Sequence, residues 1–485
     1  MNIKKYLLFF IFGLAAAISA QVRDAKKPNI IIILADDLGY GDCGSFNSKS
    51  KIKTPNIDQL AQEGMSFTDA HSASTTCTPS RYGLLTGINP CRTGVLNTLL
   101  KIGRPIISQE EFTIADFLKD QGYSTKMIGK WHLGFEMNMR GKKPSFDFSE
   151  NLKGGPMDCG FDYYYGVHSS ASSSPMFYIK GRSAVSLPTK ISECSKVKSN
   201  GKVSKVKIKT AEDFVMEELS SNLCADAVRI IKEHARTNEK KPLFLYYASP
   251  IPHQPWTPGK KFKGKSTLGL YGDFVMQFDD VVGQINQALK DTAMDENTLL
   301  IFTSDNGPGP GASMVMAKSG HAVSASLRGQ KSDAWEGGHR VPFIVKWPKI
   351  IEDGVVNESL INATDIFSTL AELLKIDLQE KYTSSAADSH SFFSALLNST
   401  KKYERPPMVT GRHAIRKGDW KLISTKKHTD AAKLVLDEFQ LYNLKDDIAE
   451  QNNLIKTHPE RAENLFKQFK NYTKNRQIKG KNGER

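Results

Sequence analysis

Residues 29–37 read NIIIILADD, an unbroken apolar run that ends at two aspartates. Two later segments have the same form, LFLYY at 243–247 and LLIFTSDN at 299–306. None of the three alternates apolar and polar residues, so each predicts a strand that is buried on both faces, as in a parallel sheet. We therefore expect a large, mainly parallel central sheet.

Amphipathic patterns that are typical of helices lie between these strand segments. Because strands and helices alternate along the chain, the sequence predicts an α/β fold in which helices flank the sheet. Ligands of open parallel sheets bind beyond the carboxyl ends of the strands. The polar residues that follow the three apolar runs lie at these ends, so they are candidates for a ligand site. The predicted helices cover residues 54–62, 113–121, 223–235 and 271–290.

The alternation weakens after about residue 390, and a smaller α+β subdomain is predicted there. Residues 411–424 predict two strands around a turn, which favours an antiparallel sheet, and residues 458–472 predict a helix. We place the main domain at residues 21–395 and the C-terminal subdomain at residues 396–485.

Two segments are rich in basic residues. Residues 195–209 hold six lysines and predict an exposed loop or hairpin, and residues 467–485 hold seven Lys and Arg with one Glu and predict a frayed tail. Solvated surface is the more common role of such runs.

The composition of the 485-residue chain is that of a globular protein, with 39% hydrophobic and 24% charged residues, which excludes a wholly disordered chain. The chain has 66 Lys and Arg against 52 Asp and Glu, which gives a net charge of +14. This charge either favours an anionic partner or reflects a basic surface without a specific role. We expect no nucleic-acid partner. Six cysteines without a CxxC pair exclude a disulfide scaffold and indicate no zinc site.

The first twenty residues predict a secretory signal peptide. Lys4 and Lys5 precede an apolar run at 6–17, and small residues at 17–20 offer a cleavage site. The run is shorter than the ~20 apolar residues that span a membrane, and no cysteine follows it for a lipid anchor. We expect a periplasmic or secreted mature protein with no stable membrane anchor.

The acidic strand ends predict a metal site. Asp36 and Asp37 repel each other unless a cation or a proton intervenes, and Asp305 with Asn306 follows another buried strand. Ca²⁺ and Mg²⁺ prefer such oxygen ligands, and no Cys or His set that suits zinc accompanies them. Turn formation or helix capping by Asp37 is the alternative interpretation.

The segment CTPSRYGLLTG begins at Cys77 and contains Arg81. It resembles the maturation signature of the formylglycine-dependent (type I) sulfatases, in which the cysteine is oxidised to formylglycine and the hydrate of that residue is the nucleophile. The resemblance implies that a formylglycine-generating maturation enzyme modifies Cys77. Taken alone, the motif also fits a buried or disulfide-bonded cysteine before a helix.

Three further blocks resemble active-site segments of the same family. GKWH supplies Lys130 and His132, PHQP supplies His253, and LRGQK supplies Lys331 ahead of an EGGHRVP motif. Each block taken alone has an ordinary structural interpretation, such as a core histidine or a rigid loop. Their occurrence together and in the order of the family is far more specific than any one of them.

The resemblance extends over roughly residues 28–455, with further blocks at 158–166, 414–422 and 441–444. Gln330 stands where the family usually has Gly, and His339 where an apolar residue is common. Neither departure touches the reacting groups, so either they reflect substrate preference or they have no functional meaning.

For the fold and the metal, the resemblance implies an alkaline-phosphatase-like architecture and one bound cation, calcium in preference to magnesium. Its implied ligands are Asp36, Asp37, residue 77, Asp305 and Asn306.

For catalysis, the resemblance implies that Arg81, Lys130 and Lys331 neutralise the charge of a sulfate ester. His253, assisted by Lys331, is the candidate general acid for the leaving alcohol, and His132 is the candidate base. Arg81 also holds residue 77 and faces the metal.

The blocks look most like sulfatases of the arylsulfatase A and N-acetylgalactosamine-6-sulfatase type. We therefore expect an exported sulfatase that acts on a chain-end galactose or N-acetylgalactosamine sulfate, with 6-O-sulfate as the first choice. A phosphomonoester or phosphonate hydrolase of the same superfamily and an inactive relative that binds sulfated glycans remain the alternatives. The sequence does not specify exo or endo action, the cysteine pairing or the oligomeric state.

Overall fold

The computed structural model describes residues 27–474 except 100–102, 137, 141–142, 146, 238–240, 383–384, 399–402, 412 and 427–433. The predicted signal peptide and the last eleven residues of the predicted basic tail lie outside the described residues.

The described residues form twenty strands and twelve α-helices, numbered here in chain order. The strands are β1 Asn29–Asp36, β2 Met65–Phe67, β3 Ala70–His71, β4 Ser124–Lys130, β5 Asn138–Arg140, β6 Lys143–Ser145, β7 Tyr163–Val167, β8 Ile179–Lys180, β9 Ser183–Ala184, β10 Pro188–Val197, β11 Val203–Ala211, β12 Leu243–Pro252, β13 Thr298–Ser304, β14 Phe343–Lys346, β15 Val355–Asn357, β16 Ile361–Asn362, β17 Met408–Thr410, β18 Ala414–Lys417, β19 Trp420–Ser424 and β20 Phe439–Asn443.

The helices include those that the sequence predicts between the strands. They are α1 Pro55–Gln62, α2 Cys77–Thr86, α3 Pro90–Thr93, α4 Ile114–Asp120, α5 Leu219–Arg236, α6 Gly269–Asp291, α7 Pro310–Lys318, α8 Glu336–His339, α9 Asp365–Leu373, α10 Leu378–Lys381, α11 Phe393–Leu397 and α12 Pro459–Lys474.

The main sheet has ten strands in the order β15-β2-β14-β13-β1-β12-β4-β7-β8-β9. Its five central strands, β13-β1-β12-β4-β7, are parallel to one another, whereas β14 and β8 pair with their neighbours in the antiparallel sense. Every residue of β12 and β13 is buried, as an apolar run without alternation requires. The predicted α/β fold is confirmed, with a mixed sheet that is parallel at its centre.

The C-terminal region contains a second, four-stranded antiparallel sheet, β17-β18-β19-β20. Helix α12 packs against it, and Ile415, Leu422, Leu441 and Phe469 share a separate apolar cluster. The smaller α+β unit is therefore confirmed. The predicted frayed tail is wrong for residues 467–474, which continue α12 because Phe469 and Thr473 on that helix are buried.

The predicted lysine-rich loop or hairpin is a hairpin, formed by β10 and β11. Among the described residues, no helix is both long enough and apolar enough to cross a membrane. All six cysteines lie within the described residues, where they are buried and form no disulfide bond.

Candidate active site

The topology brings the predicted acidic residues together at one edge of the sheet. Strand β1 lies between β12 and β13, and all three run in the same direction, so their carboxyl ends coincide. Asp36 ends β1, and Asp305 follows β13, whose last residue pairs with Ala35. Asp37 leaves the strand with φ of 66°, and its backbone N–H donates to Asp305 Oδ1 at 3.2 Å.

Two buried cations lie against the first carboxylates. Arg81 donates to Asp305 Oδ2 from Nε at 3.0 Å and from Nη2 at 2.8 Å, and its Nη1 donates to the carbonyl of Lys130 at 2.9 Å. Lys130 Nζ donates to Asp36 Oδ2 at 2.7 Å. The exposed fraction of all four side chains is zero, so these charges depend on one another for compensation.

A second group of contacts surrounds Asp37. Lys331 Nζ donates to Asp37 Oδ1 at 2.5 Å, and Asn306 Nδ2 donates to the same oxygen at 2.7 Å. His253 Nε2 lies 3.7 Å from Asp37 Oδ2. The three acids of the site are therefore matched by three permanent cations, Arg81, Lys130 and Lys331.

Cys77 lies at the first position of α2, a helix whose ten residues are all buried. Its Sγ is 3.7 Å from Lys331 Nζ and 4.0 Å from Thr98 Oγ1. The thiol also lies within 4.8 Å of carboxylate oxygens of Asp36 and Asp305. The candidate nucleophile position thus borders both the acidic cluster and a cation.

The two candidate histidines differ in their hydrogen bonds. His132 Nε2 donates to the carbonyl of Leu99 at 2.8 Å, which leaves its buried Nδ1 without a hydrogen bond among the described residues. His253 Nδ1 donates to the carbonyl of Gln254 at 2.6 Å, and the other ring nitrogen, Nε2, faces Asp37. Burial lowers the pKa of both, that of His253 to about 4. A bound anion near His253 would oppose that shift.

The carboxyl groups show the opposite effects of burial and of neighbouring charge. Burial raises the pKa of Asp36, but Lys130, together with His253 when it is protonated, Arg81 and Lys331, outweighs it and holds that pKa well below its ordinary value. Burial, together with Asp36, raises the pKa of Asp305. This electrostatic conflict between two close carboxylates is the kind that a bound cation relieves.

The donor atoms present fit a hard divalent cation. Asp36 Oδ1 and Asn306 Oδ1 are buried acceptors that have no hydrogen-bond partner among the described residues. Buried acceptors in native proteins are normally satisfied, so two such atoms beside Asp37 and Asp305 fit the ligand positions of a bound cation. An all-oxygen set with these carboxylates suits Ca²⁺ or Mg²⁺.

Ser170 is a contact residue of Lys130 that was not predicted from the sequence. Ser170 Oγ accepts a hydrogen bond from Lys130 Nζ at 3.0 Å. Ser170 follows β7, which pairs in parallel with β4, the strand that ends at Lys130. The serine-rich stretch at the carboxyl end of this central strand was the available signal, but polar residues without a charge or a motif do not distinguish a ligand from a loop.

His339, one of the two departures from the family pattern, belongs to a different buried cluster. Its Nδ1 lies 2.8 Å from Nδ1 of His71, and Nε2 of His71 lies 2.9 Å from Asp69 Oδ1. Arg416 Nη1 contacts Asp69 at 2.7 Å and His71 at 3.1 Å, and Lys421 Nζ lies 3.4 Å from His339 Nε2. Two adjacent cations oppose metal binding here, so we interpret the cluster as a structural link between the sheets.

Glu336 is the buried acid at the centre of that link. It accepts from Lys421 at 3.0 Å and from Arg416 at 3.1 Å, and all three side chains are at most 4% exposed. We expect Glu336→Gln to lower the free energy of unfolding by about 3–5 kcal/mol, because it leaves Arg340, Arg416 and Lys421 with only two buried carboxylates, those of Asp69 and Glu450, to compensate them. Urea unfolding at neutral pH measures the change.

Glu296→Gln is the matched control for this prediction. Glu296 pairs with Lys349 at 2.9 Å, but the two side chains are 66% and 64% exposed. Its loss should change the free energy of unfolding by about 1 kcal/mol or less. Equal effects of the two substitutions would show that the Glu336 cluster does not join the sheets.

The fold and this site define a hydrolase of the sulfatase family. A sequence profile described as Sulfatase matches residues 28–376, and one described as N-sulphoglucosamine sulphohydrolase, C-terminal, matches residues 330–479. The first match covers well over half of the chain. The chain therefore belongs to the sulfatase family and is a sulfuric ester hydrolase.

Individual relatives agree with this assignment. The chain is 33% identical to an N-acetylgalactosamine-6-O-sulfatase of Bacteroides thetaiotaomicron over 483 residues, covering 90% of this chain and 91% of the relative. It is 33% identical to human arylsulfatase A over 471 residues, covering 91% and 86%. A solved structure from work on glycosaminoglycan metabolism by Bacteroides thetaiotaomicron superposes with a TM-score of 0.80 at 32% identity, covering 93% of this chain and all of that one.

Proposed function

We propose that this sulfatase is an exported enzyme that hydrolyses sulfate monoesters of carbohydrates, with formylglycine formed from Cys77 as its nucleophile. The observation that carries the proposal is the position of Cys77. Its thiol lies at the head of a buried helix, 3.7 Å from Lys331 Nζ and within 4.8 Å of the Asp36 and Asp305 carboxylates. Structural cysteines are usually buried among apolar side chains, whereas reactive cysteines lie beside charged groups such as these.

The charge balance supports an anionic substrate. Three acids face three cations, so a divalent cation held by Asp36, Asp37, Asp305, Asn306 and residue 77 would give the site an excess of positive charge. When bound, the cation would supply electrostatic stabilisation of the ester oxygens and of the nucleophile. Lys130 and Lys331 then remain available to neutralise the sulfate group.

An aldehyde at position 77 takes up water to give a geminal diol, which supplies the nucleophilic oxygen. Arg81 fixes the geometry of the site, because it joins the Asp305 carboxylate to the carbonyl of Lys130 at the end of β4. Cys77 is 1% exposed, so the maturation enzyme that we propose as a partner must act before this segment is buried.

Proton transfer is assigned to the two histidines. His253 Nε2 faces the acidic cluster, with Lys331 beside it. We assign it the proton that the leaving alcohol needs: the negative charge of the bound ester raises the pKa of this histidine, Nε2 takes up a proton from solvent, and that proton is then delivered to the leaving oxygen. His132 Nδ1 is a buried acceptor without a partner among the described residues, as a base that receives a proton requires. Its Nε2–H is held by the carbonyl of Leu99, which fixes the tautomer.

For the substrate, we propose a chain-end galactose or N-acetylgalactosamine sulfate, with the 6-O-sulfate first. The name of the Bacteroides relative supports the N-acetylgalactosamine 6-O position, and its alignment covers nine-tenths of this chain. The N-terminal segment that predicts a signal peptide supports export to a space that contains extracellular glycans.

The test is a panel of 2-, 3-, 4- and 6-sulfated galactose, N-acetylgalactosamine, glucose and N-acetylglucosamine, with matched phosphate esters and the Cys77→Ala variant as the blank. We expect sulfate release to be fastest from galacto-configured 6-sulfates. Release only from gluco-configured sugars would refute the sugar assignment. Phosphate release that exceeds release from every sulfate would refute the proposed substrate class.

A further inference from the structure

The hairpin of β10 and β11 has two chemically different faces. Cys194, Ile208 and Thr210 point to one face and are buried against the body of the protein. Because residues alternate along a strand, Lys205, Lys207 and Lys209 all lie on the opposite face, and all three are exposed. Residues 188–211 hold seven lysines and one glutamate in all, and this face carries three of the lysines and Glu193, which gives it a net positive charge.

The end of the hairpin next to the turn is attached to the segment of His253. The Val197 N–H donates to the side-chain oxygen of Gln254 at 2.8 Å. Gly311 of α7 packs closely against Val197: a Cβ at position 311 would lie 2.7 Å from the Val197 carbonyl oxygen. The turn is therefore fixed beside one candidate catalytic histidine.

The other end is attached to the loop that contains Ser170. The backbone N–H of Lys209 donates to Ser174 Oγ at 3.0 Å, and the Lys209 carbonyl accepts from the Met176 N–H at 2.7 Å. Ser170 in the same loop contacts Lys130. The hairpin thus extends between two segments that contribute to the active site.

The lysine row is largely available to a ligand. Lys205 forms an exposed ion pair with Glu193 at 2.8 Å, which contributes little in water. Lys207 and Lys209 form no ion pair with the part of the chain that the structure describes. Alternate residues of a strand are ~7 Å apart, so the row presents a line of positive charges with the exposed Ile191 and Val203 beside it.

We propose that this lysine row binds the remainder of a sulfated polysaccharide chain whose terminal sugar occupies the active site. The inference rests on the proposed carbohydrate substrate. A linear polyanion matches a line of charges, and an active site that accepts a chain end leaves the rest of the chain at its border. A second copy of this chain fits poorly, because two hairpins with seven lysines each would repel.

The test compares the triple variant K205Q/K207Q/K209Q with the control K445Q/K456Q/K467Q, which removes three exposed lysines of the C-terminal subdomain. For each, kcat/KM is measured on a sulfated polysaccharide and, with the same preparation, on a chromogenic sulfate ester. We expect the ratio of the two constants to fall at least tenfold in the hairpin variant through a higher KM for the polymer, and to stay within twofold in the control.

Salt and direct binding provide independent readouts. The wild-type preference for the polymer should disappear in 0.5 M NaCl, since exposed charges are screened within ~10 Å even at 0.1 M. Binding of the Cys77→Ala protein to immobilised dextran sulfate should weaken at least tenfold with the hairpin substitutions. Equal loss in the hairpin and control variants would overturn the proposal, as would binding of the hairpin to anionic lipid vesicles but not to dextran sulfate, or hairpin-dependent dimerisation.

The outcomes also separate this proposal from the proposed function. An enzyme that cleaves sulfated monosaccharides but shows no hairpin-dependent preference for the polymer would overturn the role of the lysine row alone. An enzyme that binds dextran sulfate through the hairpin but hydrolyses no sulfated sugar would refute the substrate assignment and support the row as a polyanion-binding surface.

Discussion

Cys77→Ala should lower the turnover of sulfate esters by at least about a thousandfold, because it removes the only side chain that we assign as nucleophile. The variant should remain folded, because Ala is favourable in a helix and the Cys77 thiol makes only long polar contacts, of which that with Lys331 at 3.7 Å is the shortest. Sulfate release under saturating substrate, together with thermal unfolding, measures both effects.

Cys91→Ala is the matched control. Cys91 is fully buried in the C-terminal apolar cluster and lies outside the acidic site. Its truncation should cost stability through a small cavity but should leave turnover within twofold. Retention of substantial turnover by the Cys77→Ala protein would contradict the assigned nucleophile.

Removal of the metal should have a comparable effect on turnover. The cation is expected to stabilise the transition state by several kcal/mol, and ~4 kcal/mol corresponds to about a thousandfold in rate. The fold should persist after chelation, because Arg81, Lys130 and Lys331 already compensate the three acids. EDTA treatment followed by Ca²⁺ addition, with circular dichroism at each step, measures loss, recovery and folding.

Asp36→Asn separates the metal site from a general loss of stability. This variant should lose bound calcium, measured by elemental analysis, and turnover with it. Asp279→Asn removes another buried carboxylate, which accepts from the backbone N–H groups of Asn56 and Ile57 at the start of α1, and it should keep its calcium. Metal-free enzyme with full turnover, or loss of calcium in both variants, would refute the metal assignment.

The convergence of Asp36 and Asp305 could be expected from the sequence, because both follow strands without alternation and parallel strands end at one edge. The order of the strands could not be predicted, because nothing in the local sequence of residues 29–36 places β1 between β12 and β13. The antiparallel outer strands were missed for the same reason. Short segments such as Ile179–Lys180 acquire their pairing only from the assembled sheet.

Long-range polar contacts were likewise beyond local patterns. Arg416 reaches Asp69 across 347 positions of the chain, and Ser170 contacts Lys130 only because β7 lies beside β4. The basic run at 195–209 was recognised as a loop or hairpin. Its alternation alone did not show which face is buried, and this depends on the packing of Cys194 and Ile208.

The chemical state of residue 77 in active enzyme tests the central claim most directly. Trypsin releases it in a peptide that covers residues 54–81, because no Lys or Arg lies within that segment before Arg81. Mass spectrometry of this peptide, with a hydrazide reagent that captures aldehydes, should show formylglycine in a preparation with sulfatase activity. An active preparation in which the peptide contains only unmodified cysteine would contradict the account.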